Sequence, residues 1–372
     1  MADPPKRDSF LQLAFTEENW ACVQNNWKRW WASDLSRPLV MIEFEERNDG
    51  SLPPKLICSL PEDIRFSAIL NSDLVAAEIL EIYWRRLCRF RWFGDAWPRW
   101  YPYFGPGIVA GFLGSNVNPG LDTIWFSHAA PQNVLNSELS IDWLNPWWLK
   151  VKELTELAVH KWGDHICIGY TDLGGILDIL ASLRGTEQLL IDLYDNPDYV
   201  RRALDRITVC WMSYYNELHK IIQKSPRGTT SWANLWASGS SYILQCDFAY
   251  MISPKHFELF ALPDIEACCE QIEYPFYHLD GKGQIPHLEM LLAIKKLKGI
   301  QWIPGEGSAP PEKWLSLLSR IRNKGKLCQL YVTAKGAKTI VSNLGGKGFA
   351  FSITDINNQN DAKAFLESLL SD

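Results

Sequence analysis

The stretch "YPFYHLDGKGQIPHLEMLLAIKKLKGIQWIPGEG" (274–307) decides the fold. It opens with an aromatic, β-prone run over 274–279 and breaks at Gly281 and Gly283. An apolar, helix-forming segment follows over 286–297, and a second β-type run, 299–303, ends at Pro304 and Gly305. Strand, helix and strand in about thirty residues is the spacing of a parallel crossover unit.

The unit recurs in both directions. Downstream the pattern predicts a helix over 311–324, a strand at 328–332, a short helix over 335–343, a strand at 348–353 and a last helix over 359–371. Upstream, Asn145-Pro146 opens a helix to about His160, by the preference for Asn at the cap and Pro in the first turn. A strand at 165–171, helices over 175–183 and 186–193, and a long helix from Asn196-Pro197 to about 223 follow. Next come a strand at 229–235 and a helix opened by Ser253-Pro254. Nearer the N-terminus, Trp20, Val23, Trp27 and Trp30 recur at helical spacing behind a Thr16 cap, which predicts a helix over 16–33. A strand at 38–45 and a mostly helical stretch over 60–90 follow. Residues 90–107 read as an aromatic loop broken by Gly and Pro, and 122–127 as a β-type run. With one strand placed in 90–127, eight strands alternate with helices. The α/β pattern predicts a (β/α)8 (TIM) barrel over 1–372, with 1–36 as an N-terminal helical extension. The alternative, an open doubly wound sheet, expects a Gly-rich turn after the first strand, and "EFEERNDGS" is not one.

Composition narrows the class. The net charge is −6 and no basic stripe occurs, so no nucleic-acid partner is expected. Nine cysteines, an odd number without a C-x-x-C, read as reduced thiols of a cytoplasmic protein. "MADPPKRDSF" lacks the apolar core of a signal peptide, and no run is long enough to span a membrane. The 18 tryptophans fill a core, line a pocket or form a subunit interface; exposed ones on the helix 16–33 would favour a homodimer.

In a parallel barrel the active site lies at the C-terminal ends of the strands. The residues there are Glu43 and Glu45; Asp95 or His128; Tyr170 and Asp172; Asn234 and Trp236; His278 and Asp280; Glu306; Tyr331; Ser352 and Asp355. Each has a plainer reading, because a polar group past a strand often only bonds a loop backbone. His278 and Asp280 stand apart. Two residues apart on a strand, they face the same side. They suit either a carboxylate-oriented imidazole for proton transfer or two ligands of a metal, with Glu306 as the candidate third. Gly281 and Gly283 would let the loop approach a ligand closely. Trp236, Tyr242 and Trp302 are candidate pocket walls.

Three segments carry a family resemblance. "LRGTEQLLIDLYDNPDYVRRALDRI" (183–207) resembles an L-R-G-x-E-x-L-L-x-D-L pattern of the uroporphyrinogen decarboxylase superfamily. "CDFAYMISPKHFELFALPDIE" (246–266) resembles its D-x-x-x-x-x-S-P-x-x-F-x-x-F-x-x-P stretch, and the 277–307 region resembles its fifth and sixth strands. Together they span about a third of the chain, 183–307, in matching order. The resemblance implies the same barrel and one of two chemistries: cofactor-free decarboxylation of uroporphyrinogen, or zinc-dependent methyl transfer between a corrinoid protein and a thiol.

The chain departs from both. Where the decarboxylases carry an Arg-rich loop, it has Glu43 and Glu45; their catalytic aspartate has its nearest counterparts in Asp95 and His128. An acidic mouth disfavours a polycarboxylate substrate. Against the methyltransferase pattern of His-x-Cys plus a later Cys, His278 matches the histidine and Asp280 replaces the first cysteine. Cys328 opens its strand and cannot serve as the later one. The resemblance therefore implies a methyltransferase-like enzyme acting with a corrinoid protein on a small methylated substrate. Zinc would be held by His278, Asp280 and Glu306, with Asp247 orienting substrate. Tyr170, Asp172 and Glu43 complete the expected substrate set. The alternatives are a cofactor-independent decarboxylase using Asp95, and a non-catalytic small-molecule binder.

Overall fold

The computed structural model describes residues 12–46, 75–119, 123–127 and 139–370. The expected helical stretch 60–74, His128 and Cys58 lie outside them. Within them the chain is a mixed α/β protein, with 13 α-helices and a mostly parallel seven-stranded sheet among the described residues. The first helix is α1 (Glu17–Trp31), closed at its start by a reciprocal capping box between Thr16 and Asn19. The sheet contains β1 (Leu39–Glu45), β2 (Phe90–Gly94), β7 (Ser241–Leu244), β8 (Tyr274–Asp280), β9 (Gly299–Ile303), β10 (Leu327–Val332) and β11 (Phe349–Ile353). Its order is β2-β1-β11-β10-β9-β8-β7, parallel throughout except for β2, which runs antiparallel to β1. Two smaller ladders stand beside it. One is the parallel pair β3 (Arg99–Trp100) and β6 (Cys167–Ile168); the other is the hairpin β4 (Asn116–Pro119) and β5 (Ile124–Ser127).

Most of the expected elements are present with their caps. Asn145 Oδ1 accepts from the backbone of Trp147 and Trp148 and starts the helix Pro146–Trp162. Ser253 caps Pro254–Phe260 in the same way. Two expectations need correction. The aromatic stretch 90–107 holds two strands, not a loop. The strand expected at 229–235 is not one: Thr230 makes a single parallel bridge to Gly169, Thr229 pairs back with Ala237, and the sheet strand is Ser241–Leu244. The polar side chains of 229–234 explain this. Thr230 Oγ1 bonds the carbonyl of Ala233 and Thr229 Oγ1 bonds Ser241 Oγ, so local bonds replace a ladder.

The two faces of the sheet differ in kind. Alternation sends Tyr277, Leu279, Ile300, Trp302, Leu330 and Phe351 to the face covered by helices, where they join the main core. The other face begins apolar at the N-terminal ends of the parallel strands, with Leu39, Met41, Phe276, Leu327 and Ala350. Trp20, Val23, Trp27 and Trp30 of α1 pack onto it there. Their indole N–H groups are spent on backbone carbonyls: Trp20 on His165 (3.2 Å), Trp27 on Asp95 (3.0 Å) and Trp30 on Phe349 (3.0 Å). Trp31 bonds the carbonyl of Trp236 at 2.7 Å. Trp20, Trp27 and Trp30 are therefore core residues and Trp31 is half-buried against them, so these tryptophans are not the exposed ones that would favour a homodimer.

Candidate functional site

Toward the C-terminal ends of the strands the same face turns polar. Phe276 gives way to His278 and Asp280, Leu327 to Gln329 and Tyr331, Ala350 to Ser352, and Met41 to Glu43. Among the described residues, one group of side chains has metal-ligand chemistry: Asp247, His278 and Asp280 offer donor atoms that all lie within 4.8 Å of one another. His278 and Asp280 come from β8, as their spacing predicts. Asp247 begins the 3-10 turn Asp247–Met251 that follows β7. The His278 Nε2 to Asp280 Oδ2 separation is 3.9 Å, too long for a hydrogen bond and short enough to share a cation. The ring edge of Trp232 closes one side of the imidazole, with centroids 4.9 Å apart.

Gly281 and Gly283 bring the two elements together. Gly281 has a φ of +77°, and a Cβ on Gly283 would sit 2.6 Å from the Tyr250 ring. The close approach these glycines permit is thus to Tyr250, in the turn that carries Asp247.

Behind His278 lies a ladder of buried amides. His278 Nδ1 meets Gln301 Oε1 at 2.5 Å, and Gln301 Nε2 donates to Gln329 Oε1 at 2.5 Å. Gln329 Nε2 donates to Ser352 Oγ at 3.2 Å, which also accepts from Asn234 Nδ2 at 3.3 Å. Asn234 Oδ1 accepts from Arg99, which forms a two-pronged ion pair with Glu43 at 2.6 and 2.7 Å. One polar chain therefore crosses the face from β8 to β3. Burial works hardest against the Arg99 charge, but Glu43 outweighs it and the guanidinium is held above its ordinary value.

A second acidic group adjoins Asp247. Burial raises the carboxyl of Asp172 to about 8, although the Gly174 N–H donates to it at 2.9 Å. Asp178 is raised for the same reason and then by Asp247; its oxygens accept from the backbone N–H groups of Asp247 and Phe248. Asp178 thereby anchors the turn that presents Asp247. Asp247 reaches solvent, yet protein crowds it on most sides. That crowding raises its carboxyl first, His278 pulls it down and Asp280 adds to the rise.

Several predicted residues lie elsewhere. Asp95 sits at the opposite end of the sheet, because β2 runs antiparallel. It is buried, with its oxygens taken by Arg37 (2.7 Å), Asn26 (2.8 Å) and the Val40 N–H (2.9 Å). Trp302 points to the helix-covered face and packs on Trp314, one residue out of phase with Gln301. Trp236 is buried at the α1 end with its indole on the Arg227 carbonyl. Tyr170 lies in the main core with its hydroxyl 2.6 Å from His219. Tyr242 is buried and accepts from the Leu173 N–H at 2.7 Å, beside Asp172. Glu306 is exposed and is not among the gathered donors; Asp247 takes its place. Asp355 accepts from Ala334 N–H, and Glu45 is held by Arg86 and Arg89.

The residues missed are Gln301, Gln329, Arg99 and Asp178. The two glutamines stand mid-strand in "GIQWI" and "LCQLYV", and a polar residue inside such an apolar run is itself a signal. Fold and site together define a mixed α/β protein with a candidate metal- or proton-handling group at the C-terminal edge of a parallel sheet. No protein-family model matches the chain, and no curated protein matches its sequence. No helix among the described residues is long and apolar enough to cross a membrane.

Proposed function

We propose that this chain is an enzyme, a divergent relative of the uroporphyrinogen decarboxylase superfamily, that takes a methyl group from a small methylated substrate in concert with a corrinoid protein. In this reading the sheet closes into a (β/α)8 barrel with α1 as its N-terminal extension. Support for closure comes from what stands between the two ends of the sheet, β1 with β2 on its edge and β7. The parallel pair β3–β6 and the Gly169–Thr230 bridge supply strands there. The Glu43–Arg99 pair and the Thr229–Ser241 bond tie them to those two ends.

The observation that carries the functional reading is the convergence of Asp247, His278 and Asp280. One imidazole and two carboxylates suit zinc, as a harder and weaker set than one containing thiolates. Ligands around a tetrahedral zinc stand about 3.4 Å apart for bonds of about 2.1 Å, so the triad, gathered within 4.8 Å, needs to contract by about 1 Å. Zinc held there would supply a Lewis acid to the heteroatom that bears or receives the methyl group. The chain's own residues do the rest. His278 presents Nε2, Trp232 shields it from water, and the acidic surroundings favour a neutral or cationic donor of the methylamine or methoxy type over a polycarboxylate.

Metal content by elemental mass spectrometry, beside His278→Ala and Asp280→Ala, is the first test. Near-stoichiometric zinc in the wild type, lost in both variants at nearly unchanged melting temperature, is expected. Methylation of free cob(I)alamin by methylamines or methoxylated aromatics, followed by visible absorption, tests the transfer. Wild-type protein without bound or bindable metal would overturn the reading. The cofactor-free decarboxylase has less support, because its acid, Asp95, is fully engaged with Arg37, Asn26 and Val40. Its signature would be turnover in EDTA that is lost in Asp95→Asn.

A further inference from the structure

His278 can offer its Nε2 lone pair to a metal or a proton only when its own proton resides on Nδ1. We propose that Gln301 is a positioning residue that holds His278 in this Nδ1–H form, and that Gln329 and Ser352 fix the direction in which Gln301 faces. The metal half of this inference rests on the zinc reading above; the tautomer half does not.

Gln301 is paired with His278 across β8 and β9, and its side chain is fully buried. Its oxygen lies 2.5 Å from Nδ1, which makes Nδ1 the donor. An amide can turn over, so something must hold it. Gln301 Nε2 faces Gln329 Oε1, and turning Gln301 alone would bring two oxygens face to face at the same 2.5 Å. Gln329 is buried in turn, and its Nε2 is satisfied by Ser352 Oγ. At the far end Arg99 has only donors. It claims the oxygen of Asn234 and turns the Asn234 amide nitrogen onto the same Ser352 oxygen. Ser352 Oγ thus accepts from both sides, and the ladder runs one way, from Nδ1 outward. On the other edge of the ring Nε2 makes no hydrogen bond: Asp280 stands 3.9 Å away, so no carboxylate claims a proton there. Turning the whole ladder around would move the proton to Nε2 and leave His278 without a lone pair for the triad.

The test is the nitrogen NMR spectrum of metal-free protein labelled with 15N-histidine, recorded over a pH series so that the tautomer is read from the neutral ring. The His278 signals are assigned by their loss in His278→Gln. The expected wild-type spectrum shows the Nδ1–H form. Gln301→Met, which cannot accept, mixes the two forms and weakens zinc binding by about 10–100-fold, measured against a chromophoric chelator. Gln301→Glu, which still accepts from Nδ1, keeps the Nδ1–H form, with Gln329 turning its amide nitrogen toward the new carboxylate and Ser352 Oγ donating to Gln329 Oε1. Gln329→Leu, two side chains away from His278, releases Gln301 and shifts the spectrum the same way as Gln301→Met. This variant carries the test if Gln301→Met fails to fold. An Nε2–H form in the wild type, or a spectrum unmoved by both Gln301→Met and Gln329→Leu, overturns the proposal. If the tautomer responds as expected but no variant or wild type binds zinc, the positioning role stands and the zinc reading falls.

Discussion

Asp172→Asn gives a sharp test of the buried acidic group. Burial lifts the Asp172 carboxyl from the ordinary 3.8 to about 8 in the folded chain. The folded state therefore holds a proton that the unfolded state releases between these values. Its stabilising effect is complete below the unfolded value, and it is lost as pH rises toward the folded one. Each pH unit in this window is worth about 1.4 kcal/mol, and the slope levels off above the folded value. Between pH 6 and pH 9 the wild type should lose about 3 kcal/mol that Asp172→Asn does not lose. Asn keeps an oxygen for the Gly174 N–H, and any fixed cost it brings at Tyr242 cancels from the slope. Asp178 and Asp247 remain in both proteins; with one negative neighbour fewer they ionise more easily, which adds to the difference in the same direction. The assay is urea unfolding of both proteins at several pH values, with ΔG extrapolated at matched m-values. Parallel stability curves for the two proteins would refute the idea that Asp172 is held neutral by burial.

Three further outcomes follow from the packing. Trp30→Ala removes a fully buried indole and its bond to Phe349, and should cost about 3–5 kcal/mol in chemical unfolding; a change under about 1 kcal/mol would mean the helix is only loosely applied. Asp95→Asn leaves Arg37 without its counter-charge and should lower stability by about 3 kcal/mol, while turnover per folded molecule stays at the wild-type level. Gly283→Ala places a Cβ against the Tyr250 ring and displaces the turn carrying Asp247, so zinc affinity should fall about tenfold. The double change Gly283→Ala, Tyr250→Ala should restore it, and a lack of rescue would separate Tyr250 from the placement of Asp247.

Much of the scaffold is legible in the sequence because its signals are local. Thr16, Asn145 and Ser253 mark helix starts that the side chains then cap. The i, i+2 spacing of His278 and Asp280 puts both on one face whatever the neighbours do. The errors share a different cause, since they depend on which strand lies beside which. Trp302 attracts notice as a large aromatic, but parity puts its neighbour Gln301 opposite His278, and only the β8–β9 register shows that the two touch. Asp95 resembles a strand-end acid until β2 is seen to run antiparallel, which carries it to the other end of the sheet. Asp247 is visible as a motif position, while its approach to His278 depends on Asp178 and Tyr250, which lie 69 residues before and 3 residues after it. Glu306 is a different case: Gly305 does come close to Gly281, yet Glu306 itself is exposed, which strand order does not reveal.

The tryptophan helix has a consequence for how the chain is assembled. Its indole bonds reach 68, 145, 205 and 319 residues ahead, the last to the strand Phe349–Ile353. A ribosome delivers this helix before the partners it bonds, at about 5–20 residues per second, so its apolar side waits tens of seconds for the last of its seats to be synthesised. Among the described residues Trp30 to Phe349 is the side-chain hydrogen bond that closes the longest loop, and such contacts are the slow ones in folding. Until they form, the nascent chain carries a row of uncovered indoles well ahead of the strand that seats them, a natural target for a chaperone that binds aromatic segments during translation.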